Sequence, residues 1–325
     1  MLEARAHGAS YYRGTGDSHA FATWRFGLCA GSEARCLAHH LPGFAVTLPN
    51  RNLFDLAGAC LAESDADRKR SLTAEIAAAW RSGVLVADDN TAGPVIESPG
   101  RPKRLELVAP RDLPRRKLTG AAGRAALIHA VAHIEFNAIN LAWDAVQRFR
   151  NLPTEFYADW IQVAAEEGEH FGLMRERLAD LGRDYGDLPG HDGLWEMARR
   201  TARDPLARMA LVPRVLEARG LDVTPGMIER LLAVGDRETA ARLRIILADE
   251  VGHVAAGSRW FRHLCALRRL DPRPTFFALL DAFLTGEVRG PLNLPDRRRA
   301  GFDEGELDLL VRRAGDPGPP AGAGL

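Results

Sequence analysis

Three observations predict an all-α protein. Long segments repeat apolar residues every three or four positions, period-two alternation is almost absent, and Gly, Pro or Asn closes the principal segments. Four such segments lie between residues 118 and 270 and predict a four-helix bundle. Additional helices are expected at 51–117, ahead of it, and a helical extension at 271–312, behind it.

Residues 1–50 lack sustained periodicity and read as an atypical N-terminal extension. Their Gly-x-Gly in "YYRGTGDSHAF" has no preceding strand and no third glycine, so it is a poor phosphate loop. His39 and His40 read as loop residues. From about residue 52, "LFDLAGACLAE" and "SDADRKRSLTAEIAAAWRSG" form two helices, the second capped by Ser64 or Asp65 and stopped by Gly83. A linker to residue 117 carries the basic cluster Arg111, Arg115, Arg116 and Lys117, which reads as solvated.

The first bundle helix spans "GRAALIHAVAHIEFNAINLAWDAVQRF" and stops at "NLP". The second starts at Thr154 as its cap and ends at Gly182. A Gly-rich loop follows. The third runs from about Asp204 to Arg219 and is expected to break at "GLDVTPG", with a short helix "MIERLLAV" leading into the fourth. The tail at 313–325 has a disordered composition.

Acidic and basic residues balance at 43 each, which gives no support to nucleic acid as a partner. No uninterrupted apolar run reaches the ~18 residues of a membrane span, and the N-terminus lacks a secretory pattern. No membrane partner is therefore expected. The four cysteines, Cys29, Cys36, Cys60 and Cys265, form neither a metal pattern nor a disulfide framework, so the cytoplasm is the default.

The chemistry lies in a repeated helical motif. Glu-x-x-His places a carboxylate and an imidazole one turn apart on one face, where one metal ion can bind both. It occurs at Glu167/His170 and at Glu250/His253. Each preceding helix supplies a lone glutamate at the matching height. Glu135 lies 32 residues before Glu167, and Glu217 lies 33 before Glu250, with a turn near each midpoint. Two hairpins thus repeat with pseudo-twofold symmetry, each offering Glu plus Glu-x-x-His. This is the di-metal ligand set of ferritin-like carboxylate proteins. Trp160, Val163, Phe171 and Met174 share the stripe of Glu167, and Leu243, Ile246 and Val254 that of Glu250, so the motifs face the core. Two divalent cations and two imidazoles would balance four buried carboxylates.

Helical phase assigns Glu166, Glu169 and Glu176 to solvated faces. Asp249 either hydrogen-bonds a ligand histidine or makes a polar contact elsewhere. His129 and His133 read as structural or surface residues, and Trp160 as core. The loops at 182–193 and 220–226 are candidate substrate walls. His191, Asp192 and Trp195 either line an entrance or cap and pack the next helix. "PDRRRAGF" reads as a solvated turn.

The segments "AHIEFNAINLAWDAVQRF", "FYADWIQVAAEEGEHF", "DYGDLPGHDGLWE", "ARMALVPRVLEARGLDVTPGM" and "LADEVGHVAAGSRWF" resemble the bacterial ferritin-like family DUF455, over roughly residues 52–310. More distantly the chain is similar to the di-iron tRNA hydroxylase that modifies a thiolated, prenylated adenosine. The resemblance implies a ferritin-like bundle holding two Fe ions, or Mn, at Glu135, Glu167, His170, Glu217, Glu250 and His253. In this reading Glu167 and Glu250 bridge, and Glu135 and Glu217 are terminal ligands.

The leading expectation is an O₂-dependent di-iron oxidoreductase. It would hydroxylate a small-molecule or modified-nucleoside substrate and take electrons from an external reductase, since no flavin or nicotinamide fingerprint is present. The alternatives are a ferroxidase or peroxide scavenger without organic substrate, and a non-catalytic helical scaffold.

Overall fold

The computed structural model describes residues 51–90, 92–114, 117–284 and 288–315. The expectations for residues 1–50, for Arg115 and Arg116, and for the tail from 316 lie outside the described residues. Among the described residues the secondary structure is helical, with only the isolated bridges Asn52 to Val86 and Leu107 to Gly190.

Two short helices open the fold. Asn52 caps α1 (Leu53–Ala62) by accepting from the Phe54 amide, and Asp65 caps α2 (Ala66–Arg81) by accepting from Arg68. Beyond α2, Gly83 adopts φ 72°, a left-handed conformation that glycine reaches without steric cost. This pair covers one side of the hairpin formed by α3 (Ala121–Arg148) and α4 (Thr154–Asp180). The α3–α4 turn is held by Tyr157, whose hydroxyl accepts from the Leu152 amide and donates to the Phe149 carbonyl. Thr154 is the first helical residue and not the cap. Pro153 occupies the cap position at φ −55° and ψ 147°, with no side-chain bond.

Taken as a helix, α3 does have the length and apolar composition to cross a membrane, which the count of uninterrupted apolar residues did not reveal. However, 89% of its most apolar window is buried inside the protein, and it carries Glu135 and Asp144, so it behaves as a core helix.

The second half comprises α5 (Gly193–Arg200), α6 (Pro205–Leu211), a π-helical segment (Val212–Glu217), α7 (Ala218–Ala233) and α8 (Arg237–Leu267). The predicted break at "GLDVTPG" does not occur. Helix α7 runs straight through Pro225. Proline removes the hydrogen bond to the carbonyl four residues back, here Leu221, and that carbonyl instead accepts from Asn293 Nδ2 at 3.0 Å. The irregularity comes earlier, at Pro213, where the chain widens to the π form. The Pro213 ring packs so closely on α8 that a Cβ at Gly257 would lie 2.3 Å from it.

Helices α4 and α8 are antiparallel. Asp159 bonds Trp260, Glu166 bonds His253 and Asp236 bonds Arg177, so contacts descend one helix as they climb the other. The extension folds as α9 (Pro272–Phe283), α10 (Leu294–Arg299) and α11 (Glu304–Arg313). Arg214 anchors it by pairing with Glu306 at 2.8 Å and lying 4.2–4.8 Å from the ring centres of Phe261, Phe276 and Phe302. "PDRRRAGF" is not a solvated turn. Arg297 is buried and makes a two-bond fork to Asp222 at 2.9 and 2.7 Å.

Candidate metal centre

Five of the six motif residues meet where α3, α4 and α8 face one another. Glu135, Glu167 and His170 offer ligand atoms that all lie within 4.8 Å of one another, and so do Glu167, Glu250 and His253. Glu167 belongs to both triads. It is fully buried, and His170 and His253 are each 1% exposed. His170 Nδ1 stands 3.4 Å from Glu167 and 3.5 Å from Glu135, and His253 Nδ1 stands 3.0 Å from Glu167 and 3.8 Å from Glu250. The two imidazole centres are 5.7 Å apart.

Glu217 is placed differently. It ends the π segment, buried beside the cluster but outside both triads. Glu135 thus lies within a triad and Glu217 beside one, and Glu167 is the residue common to both triads. The widened turn preceding Glu217 has no counterpart in α3, where Glu135 sits within regular helix.

Both histidines present Nδ1 inward and tie Nε2 to a carboxylate on the opposite helix. His170 Nε2 is 3.0 Å from Asp249, and His253 Nε2 is 2.7 Å from Glu166. A carboxylate at Nε2 holds the proton there and directs the Nδ1 lone pair into the site, the usual support for a metal-binding imidazole. For Asp249, the histidine contact is the expectation that holds. Glu166 corrects the sequence reading, because it sits half-buried in the α4–α8 seam and also accepts from Gln162. The available signal was positional, since Glu166 and Asp249 each immediately precede the glutamate of a motif. Glu169 and Glu176 are exposed as expected.

The electrostatics are those of a crowded anionic centre. Burial, and then the charge of Glu167, push Glu135 up to about 8 and Glu217 up to about 7. The same causes raise Glu250 well above the carboxylate range. Burial also opposes the charge on Glu167, but His253 and His170 outweigh it and hold this carboxyl low. Conversely, burial disfavours charge on His170, yet Glu135 and Glu167 raise it to about 11, and Glu167 with Glu166 raises His253. Protons thus supply the positive charge that four buried carboxylates require.

Hydrogen bonding leaves this centre incomplete. Glu135 Oε2, Glu167 Oε1, Glu217 Oε2, Glu250 Oε2 and His253 Nδ1 are buried without a hydrogen-bond partner. The 3.0 Å approach of His253 to Glu167 is misaligned for a bond. Carboxylate oxygens and imidazole Nδ1 atoms that converge without hydrogen-bond partners fit first-row divalent cations, which bind there by displacing the protons.

The other candidates lie elsewhere. His133 is two residues from Glu135 and so about 200° around α3. It contacts the Tyr185 hydroxyl and the His191 carbonyl, both at 2.9 Å, while His129 Nε2 accepts from the Gly186 amide. These histidines bind the 182–192 loop to the outer side of α3, so this loop packs away from Glu135. Residues 220–226 belong to α7 and form no loop wall. Asp192 pairs with Arg101 and does not cap α5 by side chain; Trp195 and Trp160 are core residues. Arg111 and Lys117 are exposed.

Fold and site define an all-helical protein with a buried carboxylate–imidazole cluster able to hold metal ions. The chain belongs to the family described as Protein of unknown function (DUF455), which matches residues 62–308. It is similar to an uncharacterized protein of Haemophilus influenzae, 48% identical over 216 residues, covering 64% of this chain and 75% of that one. No solved structure matches.

Proposed function

We propose that this chain is a ferritin-like di-metal oxidoreductase, with iron as the first choice of metal and manganese as the second. It would hydroxylate an organic substrate with O₂ and electrons from a separate reductase. The observation that carries this reading is the pair of triads sharing Glu167, with unpartnered donor atoms converging from three helices. When bound, two irons would supply reduction of dioxygen and transfer of one oxygen atom to a carbon of the substrate.

The chain's own residues supply the setting. Glu167 is positioned to serve both ions, Glu135 and His170 one of them, and Glu250 and His253 the other. Glu166 and Asp249 fix the imidazoles. Buried apolar neighbours such as Phe171, Met174 and Val254 exclude water. Exposure is graded across the site, with Glu167 at 0%, Glu135 at 3%, Glu250 at 7% and Glu217 at 9%, which favours substrate approach from the α7–α8 side.

The test is dioxygen uptake by iron-loaded protein supplied with a flavin reductase and a library of apolar and modified-nucleoside substrates. Substrate-dependent uptake, abolished in Glu167→Ala, is the expected result. Uptake independent of any organic substrate would make the protein a metal-handling ferroxidase. Absence of metal-dependent uptake would remove the oxidoreductase reading.

A further inference from the structure

A chamber of about 80 Å³ lies between α3 and the loop that α3 holds through its histidines. It is several times the roughly 10–15 Å³ that one water requires. Leu113, Ala130, Ile134, Leu188 and Pro189 contribute apolar wall, and no carboxylate, lysine or arginine lines it among the described residues. The loop is fixed over it. Gly190 accepts from the Val108 amide and donates to the Glu106 carbonyl, both at 2.9 Å. A Cβ at Gly190 would lie 2.6 Å from His133 Nε2, so glycine permits this close seat.

One buried polar group on the wall is unspent. His129 is 1% exposed, and its Nε2 accepts from the Gly186 amide at 2.9 Å. That bond places the imidazole proton on Nδ1, which has no partner among the described residues. Burial pushes His129 down to about 4, so the ring is neutral at physiological pH. By contrast, His133 uses both ring nitrogens.

We infer that this chamber is a binding site for a small, uncharged, largely apolar molecule carrying one hydrogen-bond acceptor, which His129 Nδ1–H engages. A charged ligand would meet no carboxylate, lysine or arginine among the described lining residues and would lose hydration against the apolar wall. A wholly apolar ligand would leave the imidazole N–H unpaired. The volume limits the occupant to a handful of heavy atoms, below the size of a benzene that fills a ~150 Å³ cavity.

Tetrahydrofuran is a suitable probe, read by long-range ¹H–¹⁵N correlation of the His129 imidazole in the full chain. The expected result is a saturable Nδ1 shift with a Kd on the order of millimolar, as suits so few heavy atoms. Cyclopentane, the same ring without the acceptor, should bind about tenfold more weakly or worse. Ala130→Leu, which fills the chamber from α3, should weaken tetrahydrofuran by a similar factor or more. Ile134→Trp, at a 43% exposed wall position, gives a second occluding variant should the first fail to fold. No saturable shift in the wild type, as from a chamber that holds water only, would overturn the proposal. Binding unchanged in the folded occluding variants would overturn it equally.

Discussion

Helix α3 carries two buried acids nine residues apart, and they are treated in opposite ways. Asp144 accepts from Arg208 Nη1 at 2.5 Å and from Arg148 Nε at 2.8 Å. Arg208 in turn donates to Thr201 Oγ1 and the Ala198 carbonyl and lies 5.2 Å from the Phe149 ring centre. Every demand of this ion pair is met by the protein. Glu135 faces another carboxylate and an imidazole and keeps one oxygen unpartnered. Burial and charge are common to both places. Between these two places, incomplete satisfaction separates the candidate binding centre from the structural ion pair.

The comparison can be broken most severely at Asp144. Asp144→Ala strands Arg208 in the core and should cost about 3–5 kcal/mol, read from urea unfolding, as removing one partner of a buried pair does. Glu135→Gln should do the reverse. The metal-free protein should lose no stability near pH 7, because this carboxyl is held up at about 8 and is already neutral in the folded state, whereas unfolding releases its proton. Metal affinity, measured by competition with a chelator, should fall by more than about 100-fold, beyond the loss typical of outer partners.

Glu166→Gln and Asp249→Asn form the next step down. Each leaves the ligands in place but weakens the hold on one imidazole, so metal affinity should drop roughly 10–100-fold. An exposed-face control such as Glu169→Gln should change nothing.

A pH dependence tests the same comparison without a mutation. Glu135 is raised from 4.5 to about 8, so the folded state retains a proton that the unfolded state releases, and stability falls as pH rises across that window. His170, raised from 6.5 to about 11, contributes stability in full below 6.5 and loses it as pH climbs toward 11. Glu167 is depressed, and its contribution is lost only as pH drops below 4.5, outside this window. Thermal melts of metal-free protein should therefore decline between 6.5 and 8, above the range of 4 to 6.5 in which His129 and His133, pushed down to about 4 by burial, act in the opposite sense, and saturating metal should flatten that decline because metal displaces the same protons.

Helical phase made most of this legible. A stripe at three- and four-residue spacing needs only one helix to be read, and it correctly turned Glu135, Glu167, His170, Glu250 and His253 inward. What failed required knowing a neighbour. Glu166 lies off the stripe of its own helix, and only the antiparallel approach of α8 converts its solvated face into a seam. Pro225 reads as a helix breaker because the acceptor it frees is rescued by Asn293, far along the chain. Glu217 ends a π segment, and nothing local beyond Pro213 signals it. Arg297 was invisible for the same reason, since its partner Asp222 lies on another helix.

The most direct test of the central claim is metal stoichiometry, measured by elemental analysis after anaerobic loading with ferrous iron and desalting. The two triads predict two ions per chain in the wild type. Because Glu167 belongs to both triads, Glu167→Ala should lose both ions, whereas Glu250→Gln should lose one. A wild type that retains no metal, or a Glu167→Ala protein that retains as much as the wild type, would contradict the account.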